Sequence, residues 1–256
     1  MWDWLDKIQQ LKQQAHPFVL VTLTRSSGSA PRELGAKMIV EKNGEFYGTI
    51  GGGKLEELAL EDSKKVLDQL ENQSIKYPLG AKTGQCCGGT VELFFEVFNQ
   101  GPRLVLFGAG HVGQAVCKTF SGTPFLISLI DERQEWIGSS EIPKEVTRHH
   151  GYWESFLEEI SWCDKNTYVA IMTHQHDLDQ QILENVLRQK TRYIGLIGSQ
   201  SKWKRFQQRL IAKGFSEQEL KQVRCPLGLP VGGKAPQEVA ISLASELLRD
   251  YYGKEL

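Results

Sequence analysis

The sequence lacks several features that would assign it to a specialised class of protein. It contains no uninterrupted run of about 18 apolar residues, and charges interrupt its first 14 positions, so neither a membrane span nor a signal peptide is predicted. The formal net charge is only −1, which provides no basic surface for nucleic acid. We therefore expect a cytoplasmic protein with no nucleic-acid partner and no membrane partner.

Cysteine is also scarce. The five cysteines are odd in number and no two have CxxC spacing, which argues against a disulfide framework and against a zinc site. No internal repeat and no low-complexity tract is present. With 256 residues, of which 40% are hydrophobic, the chain is long enough for one large domain or two modest ones.

The pattern of the chain changes near residue 100. Before residues 99–102 it reads as strands and hairpins with one long helix, and after them strands and helices alternate. Such alternation predicts a parallel, doubly wound sheet. We predict an α/β protein with a smaller α+β domain over residues 1–100 and a Rossmann-like domain over residues 101–256.

The second half opens with a dinucleotide-binding fingerprint. An apolar run over residues 104–107 precedes Gly108, Gly110 and Gly113 in GxGxxG spacing, and a segment of helical periodicity follows. The glycines permit a sharp turn and close approach of a phosphate, which the helix N-terminus attracts. Asp131 ends the next apolar run, 18 residues after Gly113. Its carboxylate either binds ribose hydroxyls or caps the following helix.

Three further loops of this half follow predicted strands or precede the last predicted helix. They span residues 173–177, 198–202 and 228–234. Because ligands of doubly wound sheets bind beyond the carboxyl ends of the strands, these loops and the glycine fingerprint could line one cleft. Ser199, Gly232 and Gly233 are candidate cofactor-binding residues. His174 and His176 could be metal ligands or an acid/base pair, or could hydrogen-bond loop backbone or a nucleotide.

Two loops of the first half are candidate anion sites. A small, polar loop after the first predicted strand contains Arg25 and Arg32, and it is either an ordinary turn or an anion site. Gly51, Gly52 and Gly53 join a predicted strand to a predicted helix. They either expose amide donors to an anion or serve only the conformation of a tight turn.

A third loop contains two adjacent cysteines. Cys86 and Cys87 are flanked by Gln85, Gly88 and Gly89, ahead of a predicted strand. Neighbouring N–H groups lower the pKa of a thiol, and the thiolate is the form that attacks or ligates a metal. Adjacent cysteines have poor geometry for an unstrained disulfide. The pair indicates either a role with sulfur or a soft metal, or two buried small residues.

Seven ordered blocks of the sequence resemble the XdhC/CoxI family, the xanthine dehydrogenase accessory factors. They are VTLTRSSGSAPRELGAKMIV, GTIGGGKLEE, GQCCGG, LVLFGAGHVG, MTHQHDLD, YIGLIGS and CPLGLPVGGKAPQEVAISLASELL. The resemblance implies a protein that binds molybdenum cofactor (molybdopterin), supports its sulfuration and passes it to apo xanthine dehydrogenase, with a cysteine desulfurase as the sulfur source. It also implies an accessory factor more than a stand-alone catalyst.

The candidate sites suit that cargo. Glycine amides at residues 51–53 and 88–89 and the two arginines can bind its phosphate, and thiolates suit a soft metal. Cys86 or Cys87 is expected to contact molybdenum or carry a persulfide. We favour Cys87, because it adjoins the glycines. Lys54 stands where the family pattern has histidine, which keeps an anion partner and loses a neutral metal ligand.

Two other functions are compatible with the sequence. The fingerprint alone would favour an NAD(P)-dependent oxidoreductase, and a nucleotide-sensing regulatory module would use the same fold without chemistry. The second half could therefore bind NAD(P), another nucleotide or the pterin. Exposed apolar residues on the first predicted helix, over residues 2–14, indicate a homodimer.

Overall fold

The computed structural model describes residues 3–13, 17–28, 32–79, 89–98, 101–160 and 162–254. The chain divides into two compact units, Met1–Gln100 and Gly101–Leu256, which are called unit 1 and unit 2 below. Within the described ranges, no helix is long and apolar enough to cross a lipid bilayer.

Unit 1 is built on one antiparallel sheet. Its strands are β1 (Phe18–Ser27), β2 (Lys37–Glu41), β3 (Phe46–Gly48), β4 (Gln73–Pro78) and β5 (Thr90–Phe98), and its helices are α1 (Asp3–Gln13) and α2 (Gly53–Gln69). The strand order is β3-β2-β1-β5-β4. Alternate residues of β1 face opposite sides: Val19 and Val21 pack in the cluster that contains α2, and Phe18 and Leu20 pack in the cluster that contains α1. A helix therefore covers each face of the sheet.

The first strand is longer than the sequence predicts. We predict a strand that ends at Leu23 and a polar loop that begins at Arg25. In the structure, Arg25 to Ser27 continue β1 and pair with β5 after a shift of register that follows Leu23. Backbone pairing with a neighbouring strand does not require apolar side chains, so the change of composition does not mark the end of the strand. For the same reason, the apolar pattern of the sequence does not predict the polar edge strand β4.

Unit 2 is built on one parallel sheet. Its strands are β6 (Arg103–Phe107), β7 (Leu126–Asp131), β8 (Thr147–His150), β9 (Thr167–Ile171), β10 (Tyr193–Leu196) and β11 (Val223–Arg224). Its helices are α3 (His111–Phe120), α4 (Gln134–Ile137), α5 (Trp153–Glu159), α6 (His176–Val186), α7 (Gln200–Ala212), α8 (Glu217–Leu220) and α9 (Pro236–Tyr252). The order β11-β10-β9-β6-β7-β8 is that of dinucleotide-binding sheets, and the predicted Rossmann-like fold is confirmed.

The central strands of this sheet are buried on both faces. Every residue of β6 and of β9 is buried. Leu104 and Leu106 pack with α3 and α9 on one face, and Val105 and Phe107 pack with α6 and α7 on the other. Burial on both faces explains why these strands appear in the sequence as continuous apolar runs. Strands β6 and β9 are neighbours whose connections leave in opposite directions, so a switch point lies between their carboxyl ends.

Candidate functional site

The glycine fingerprint forms the turn between β6 and α3. Gly108 has φ 111°, and a Cβ there would lie 2.8 Å from the Met172 carbonyl carbon. A Cβ at Gly113 would lie 3.0 Å from the Gly108 carbonyl carbon and closer still to its oxygen. Gly110 has no neighbouring atom within 4 Å of the equivalent position. Gly108 and Gly113 therefore serve close packing, and Gly110 leaves the backbone open to a ligand.

Asp131 lies at the end of β7, beside this turn. Its Oδ2 accepts hydrogen bonds from the Ala109 amide and from Nη2 of Arg133, both at 2.7 Å, and its Oδ1 accepts from Nε of Arg133 at 2.9 Å. Burial acts to raise the pKa of the carboxyl, but the bonds from Arg133 and Ala109 outweigh it and the pKa is lowered. The carboxylate thus holds the glycine turn and a guanidinium, and both oxygens already have donors.

Arg133 also joins an aromatic pair. Its guanidinium lies 5.3 Å from the ring centre of Trp136, and the His111 ring meets that of Trp136 edge-on at 4.9 Å. Asp131, Arg133, Trp136 and His111, which we call the arginine–tryptophan cluster, therefore connect the end of β7 with the start of α3. Of these four residues, only Asp131 is predicted from the sequence, because guanidinium stacking leaves no periodic signal in a sequence.

The loops predicted to line one cleft are divided between two cavities. His174 lies with Gly108 and Asp131 around a cavity of about 20 Å³, which has room for a water molecule and not for a nucleotide. Ser199, Gly232 and Gly233 lie in a separate cleft of about 680 Å³, within the range of small-molecule sites. We call the second cavity the 226–234 cleft after the segment that forms most of its wall.

The 226–234 cleft lies on the side of the sheet that α3 and α9 cover. Val112, in the first turn of α3, and Val239, in α9, are part of its lining, together with Ile197 and Ser199 after β10. Its main wall is fixed to the fold through Glu246, whose Oε2 accepts hydrogen bonds from the Tyr193 hydroxyl at 2.6 Å and the Gly228 amide at 2.7 Å. These bonds hold the wall in place without a ligand.

A buried ion pair, which no sequence motif predicts, lies beneath the loops after β9 and β10. Lys202 Nζ lies 2.6 Å from Asp179 Oδ2 and donates to the Ile197 carbonyl at 2.8 Å. Asp179 Oδ1 accepts from the Thr173 amide at 2.9 Å. The side chains are 7% and 1% exposed. The pair therefore ties the two strand-end loops together beside the switch point.

The ion pair is not evident in the sequence because two helices begin earlier than the sequence predicts. We predict loops over residues 173–177 and 198–202, but α6 begins at His176 and α7 begins at Gln200. Lys202 is therefore in the first turn of α7, where the Ser199 hydroxyl accepts from its amide at 3.3 Å. His176 is in the first turn of α6, with Nδ1 3.9 Å from Asp179 Oδ2. The serine cap was a signal in the sequence that could have placed the start of α7.

In unit 1, a carboxylate already occupies the glycine-rich turn before α2. Glu56 Oε1 accepts hydrogen bonds from the Ile50 amide at 3.0 Å and the Gly52 amide at 2.8 Å, and the Thr49 hydroxyl also donates to it. Gly51 to Gly53 all have positive φ, so this turn requires glycine. Burial acts to raise the pKa of Glu56, but these donors outweigh it and the pKa is lowered. The predicted amide cradle is therefore filled by the chain itself.

Replacing Glu56 with alanine is expected to lower the free energy of unfolding by about 1 to 2 kcal/mol, because two amides lose their acceptor. Since the folded pKa of Glu56 is lowered, its contribution is present above the unfolded pKa and is lost as the pH falls through the folded pKa. Urea titrations of the wild type and of Glu56→Gln between neutral and acidic pH check this. Glu57→Ala, at an exposed position of the same helix, should change stability by less than about 0.5 kcal/mol. Equal losses for Glu56→Ala and Glu57→Ala would contradict this assignment.

The other candidate residues of unit 1 differ in exposure. Arg25 is 82% exposed, with Nε 3.8 Å from Glu92 Oε2, and Arg32 is exposed. Lys54 Nζ forms an ion pair with Glu57 Oε2 at 2.7 Å. Gly89 is buried. Gln85, Cys86, Cys87 and Gly88 lie outside the described residues.

Three connections of unit 1 leave the sheet at the same end. Strands β1, β3 and β4 run in one direction, antiparallel to β2 and β5. The segments that follow Ser27, Gly48 and Pro78 therefore begin at the same end of the sheet. The last of these, which contains the cysteine pair, is held at its base by a hydrogen bond of 2.7 Å from the Leu79 amide to the Gly89 carbonyl. The arginines, the glycine triplet and the ends of the cysteine segment thus share one end of this sheet.

The described cysteines all belong to unit 2. Cys117 and Cys225 are buried, and Cys163 is partly exposed. Burial raises the pKa of the Cys117 thiol to about 12 and that of Cys225 to about 11, so both remain protonated at neutral pH. Within the part of the chain that the structure describes, no three histidine, cysteine or acidic side chains are grouped to hold a metal ion.

Comparison with known proteins gives matches over most of the chain. The family model described as the XdhC Rossmann domain matches residues 104–247, and the model of the XdhC and CoxI family matches residues 11–78. The first match covers more than half of the chain and falls within unit 2, and the second falls within unit 1.

Three curated relatives are similar to the chain. An Escherichia coli protein called uncharacterized protein YqeB is 31% identical over 94% of this chain, which spans only 44% of the YqeB length. A Bacillus subtilis protein, named as a probable subunit of xanthine dehydrogenase, is 23% identical over 96% of each chain. The molybdenum cofactor insertion chaperone PaoD of Escherichia coli is 24% identical over 90% of this chain and 82% of its own.

Proposed function

Because the chain belongs to the XdhC/CoxI family, we propose that it binds molybdenum cofactor, supports its sulfuration and delivers it to apo xanthine dehydrogenase. The names of two relatives support this role, since PaoD is called a molybdenum cofactor insertion chaperone and the Bacillus subtilis protein is named as a probable part of xanthine dehydrogenase. A cysteine desulfurase is the proposed sulfur source. The expected homodimer and cytoplasmic location stay predictions.

One structural observation carries the proposal. The connections after β1, β3 and β4 leave the sheet of unit 1 at one end, which gathers there the segments that contain the arginines and the cysteine pair. The cargo has a phosphate and a soft, dithiolene-bound metal. Guanidinium groups bind phosphate with paired hydrogen bonds, and thiolates suit a soft metal. The two arginines and the described ends of the cysteine segment at this end of the sheet support the proposal that the phosphate and the metal bind here.

The filled glycine turn changes the assignment of the phosphate. Glu56 already accepts from the amides of Ile50 and Gly52, and its negative charge would repel a phosphate there. We therefore assign the phosphate to Arg25 and Arg32, both of which are exposed. Cys87 is proposed to contact the molybdenum or to carry the persulfide, with Cys86 beside it.

Cys87→Ala is expected to lower the molybdenum bound per protein by roughly tenfold or more, because one metal-contacting thiolate is lost. The protein is purified without oxygen from molybdate-fed cells, and bound pterin and molybdenum are assayed separately. Cys86→Ala is measured in parallel, and Cys163→Ala in unit 2 is the matched control.

The two assays separate the ways in which this proposal can fail. If the wild-type protein carries neither pterin nor molybdenum, then cofactor binding is wrong. If pterin and molybdenum are present in full and neither Cys86→Ala nor Cys87→Ala changes them, then the thiol contact is wrong. A loss of metal in the Cys163→Ala control would show that the effect is not specific to the cysteine pair.

The alternative of an NAD(P)-dependent oxidoreductase has less support from the geometry. Its candidate acids or bases are His174 and His176. His174 lies at the cavity of about 20 Å³, and neither histidine lines the 226–234 cleft. A hydride-transferring site needs its proton donor within hydrogen-bond reach of the substrate. A ligand in the larger cleft would not contact His174 through that lining.

A further inference from the structure

We infer that the free edge of β3, in unit 1, is the surface through which two copies of this chain pair. The partner is a second copy, whose β3 lies antiparallel to the first about a two-fold axis at Tyr47 and joins the two sheets into one. The inference does not rest on the proposed cofactor role. It gives the expected homodimer a definite interface, and that interface is a strand edge instead of the first helix.

The edge strand β3 lacks the charged side chains that protect the other sheet edges. The two sheets end at β3, β4, β8 and β11. Of these four described edge strands, β3 alone contains no lysine or arginine. Its side chains Phe46 and Tyr47 are 50% and 40% exposed. Proteins use charges on edge strands to prevent pairing with another chain, so an edge with two exposed aromatic rings favours such pairing.

The backbone of β3 presents its outward groups at alternate residues. On the β2 side, the Glu45 carbonyl accepts a hydrogen bond at 2.9 Å and the Thr49 amide donates one at 3.1 Å. Tyr47 lies midway between these two residues, so the alternation of an antiparallel ladder directs its backbone towards β2 as well. The amide groups of Phe46 and Gly48 therefore face the free edge.

One antiparallel register satisfies these outward groups symmetrically. When Tyr47 lies opposite Tyr47 of the second copy, Phe46 lies opposite Gly48 of the second copy on each side of the axis. Those flanking pairs are the hydrogen-bonded ones, and the central tyrosines form a non-hydrogen-bonded pair with close side chains. The Phe46 ring would cover a residue without a side chain, which stabilises glycine at a strand edge. The edge is therefore complementary to itself in shape and in hydrogen bonding.

The flank of the edge has room for the tyrosine ring of the second copy. Tyr47 pairs with Ile39, which packs in the cluster that contains α1, so the Tyr47 side chain lies on the α1 face. A hollow of about 500 Å³ lies beside the edge, lined by Lys7, Glu41 and residues 43–47. Its ion pair between Lys7 and Glu41 can bond to a tyrosine hydroxyl. The hollow extends the contact, because a three-residue strand alone would bury less than the roughly 1,000 Å² of a stable interface.

Disulfide trapping tests the register. Tyr47→Cys is expected to give a covalent dimer in oxidised glutathione, because the Cα atoms of a non-hydrogen-bonded pair lie about 4.5 Å apart, within reach of a disulfide. Phe46→Cys is the matched control, since its counterpart lies two residues further along in this register, beyond the bridging limit of about 7 Å. The wild type treated in the same way gives the background from the native cysteines, and peptide mass spectrometry identifies the linked pair.

Sedimentation equilibrium on the full-length protein tests the edge itself, and the wild type is expected to be a dimer. Tyr47→Lys should raise the dimer dissociation constant by about tenfold or more, because two like charges would lie directly opposite each other. Ser74→Lys, at an exposed position of the opposite edge strand β4, should leave the dissociation constant unchanged. Circular dichroism checks that both variants are folded.

Three outcomes would overturn the inference. The first is a wild type that stays monomeric at about 0.1 mM. The second is a dimer that Tyr47→Lys leaves as tight as before, which would assign the contact to another surface. The third is a covalent dimer of Phe46→Cys in the same yield as that of Tyr47→Cys, which would contradict the pairing about Tyr47. None of these measurements uses the cofactor, so failure of the proposed cargo role would appear separately, as purified protein that carries no pterin and no molybdenum.

Discussion

Replacing Lys202 with methionine is expected to lower the free energy of unfolding by about 3 to 5 kcal/mol, the range for breaking a buried ion pair. The loss arises because Asp179, whose side chain is 1% exposed, would keep a negative charge without its cationic partner. Methionine fills a similar volume, so the change isolates the charge from the packing of the side chain. Urea unfolding followed by circular dichroism measures the loss.

Two further variants show whether the charge is the cause. Lys204→Met, at an exposed position of the same helix, should change stability by less than about 0.5 kcal/mol. The double variant Lys202→Met, Asp179→Asn should recover part of the loss, because asparagine keeps an oxygen for the Thr173 amide and carries no charge. A loss below about 1 kcal/mol for Lys202→Met, or no recovery in the double variant, would contradict the role assigned to the pair.

Gly113→Ala is expected to cost about 3 kcal/mol or more, because its Cβ would enter the space of the Gly108 carbonyl. The atoms that the new Cβ would meet belong to the Gly108 backbone, so no side-chain rotation can relieve the clash. The helix would have to move away from the strand and open the packing around Leu104 and Leu106. Thermal unfolding should show a clearly lower midpoint.

Gly110→Ala is the matched control for that variant. Gly110 has φ −64°, and a Cβ there meets no atom within 4 Å. The change should cost less than about 1 kcal/mol, the difference between glycine and alanine at a helix N-cap. Because the new methyl group points into open space, the variant should stay folded with a thermal midpoint close to that of the wild type. Equal stability losses at the two positions would contradict the assignment of Gly113, and not Gly110, to close packing.

Much of unit 2 could be predicted from the sequence because its signals are local. The apolar runs, the glycine spacing and Asp131 after the second run predict a strand, turn and helix, and the structure has β6, α3 and β7 in those places. In unit 1, the predicted strands over residues 37–40 and 90–98 correspond to β2 and β5. Each signal arises from the geometry of neighbouring residues, which is the same in any fold.

The partners of the candidate residues were less predictable. Arg133 follows Asp131 by two residues, yet nothing in that spacing shows that it would take both carboxylate oxygens. Glu56 was assigned only to a helix, and it proved to fill the glycine turn before that helix. Lys202 and Asp179 are 23 residues apart along the chain. Such contacts depend on side-chain directions that periodicity does not encode.

The sequence by itself determined the family, the Rossmann-like fold of the second half and the residues whose chemistry suits a phosphate and a soft metal. Composition, periodicity and short motifs carry that information because they reflect local conformation and side-chain chemistry. Only the tertiary structure decided that β6 and β9 are neighbours, that Glu56 and Arg133 occupy two predicted ligand positions, and that one large cleft stays open beside α3. Those outcomes depend on which distant segments pack together, and therefore on the free energy of the whole fold.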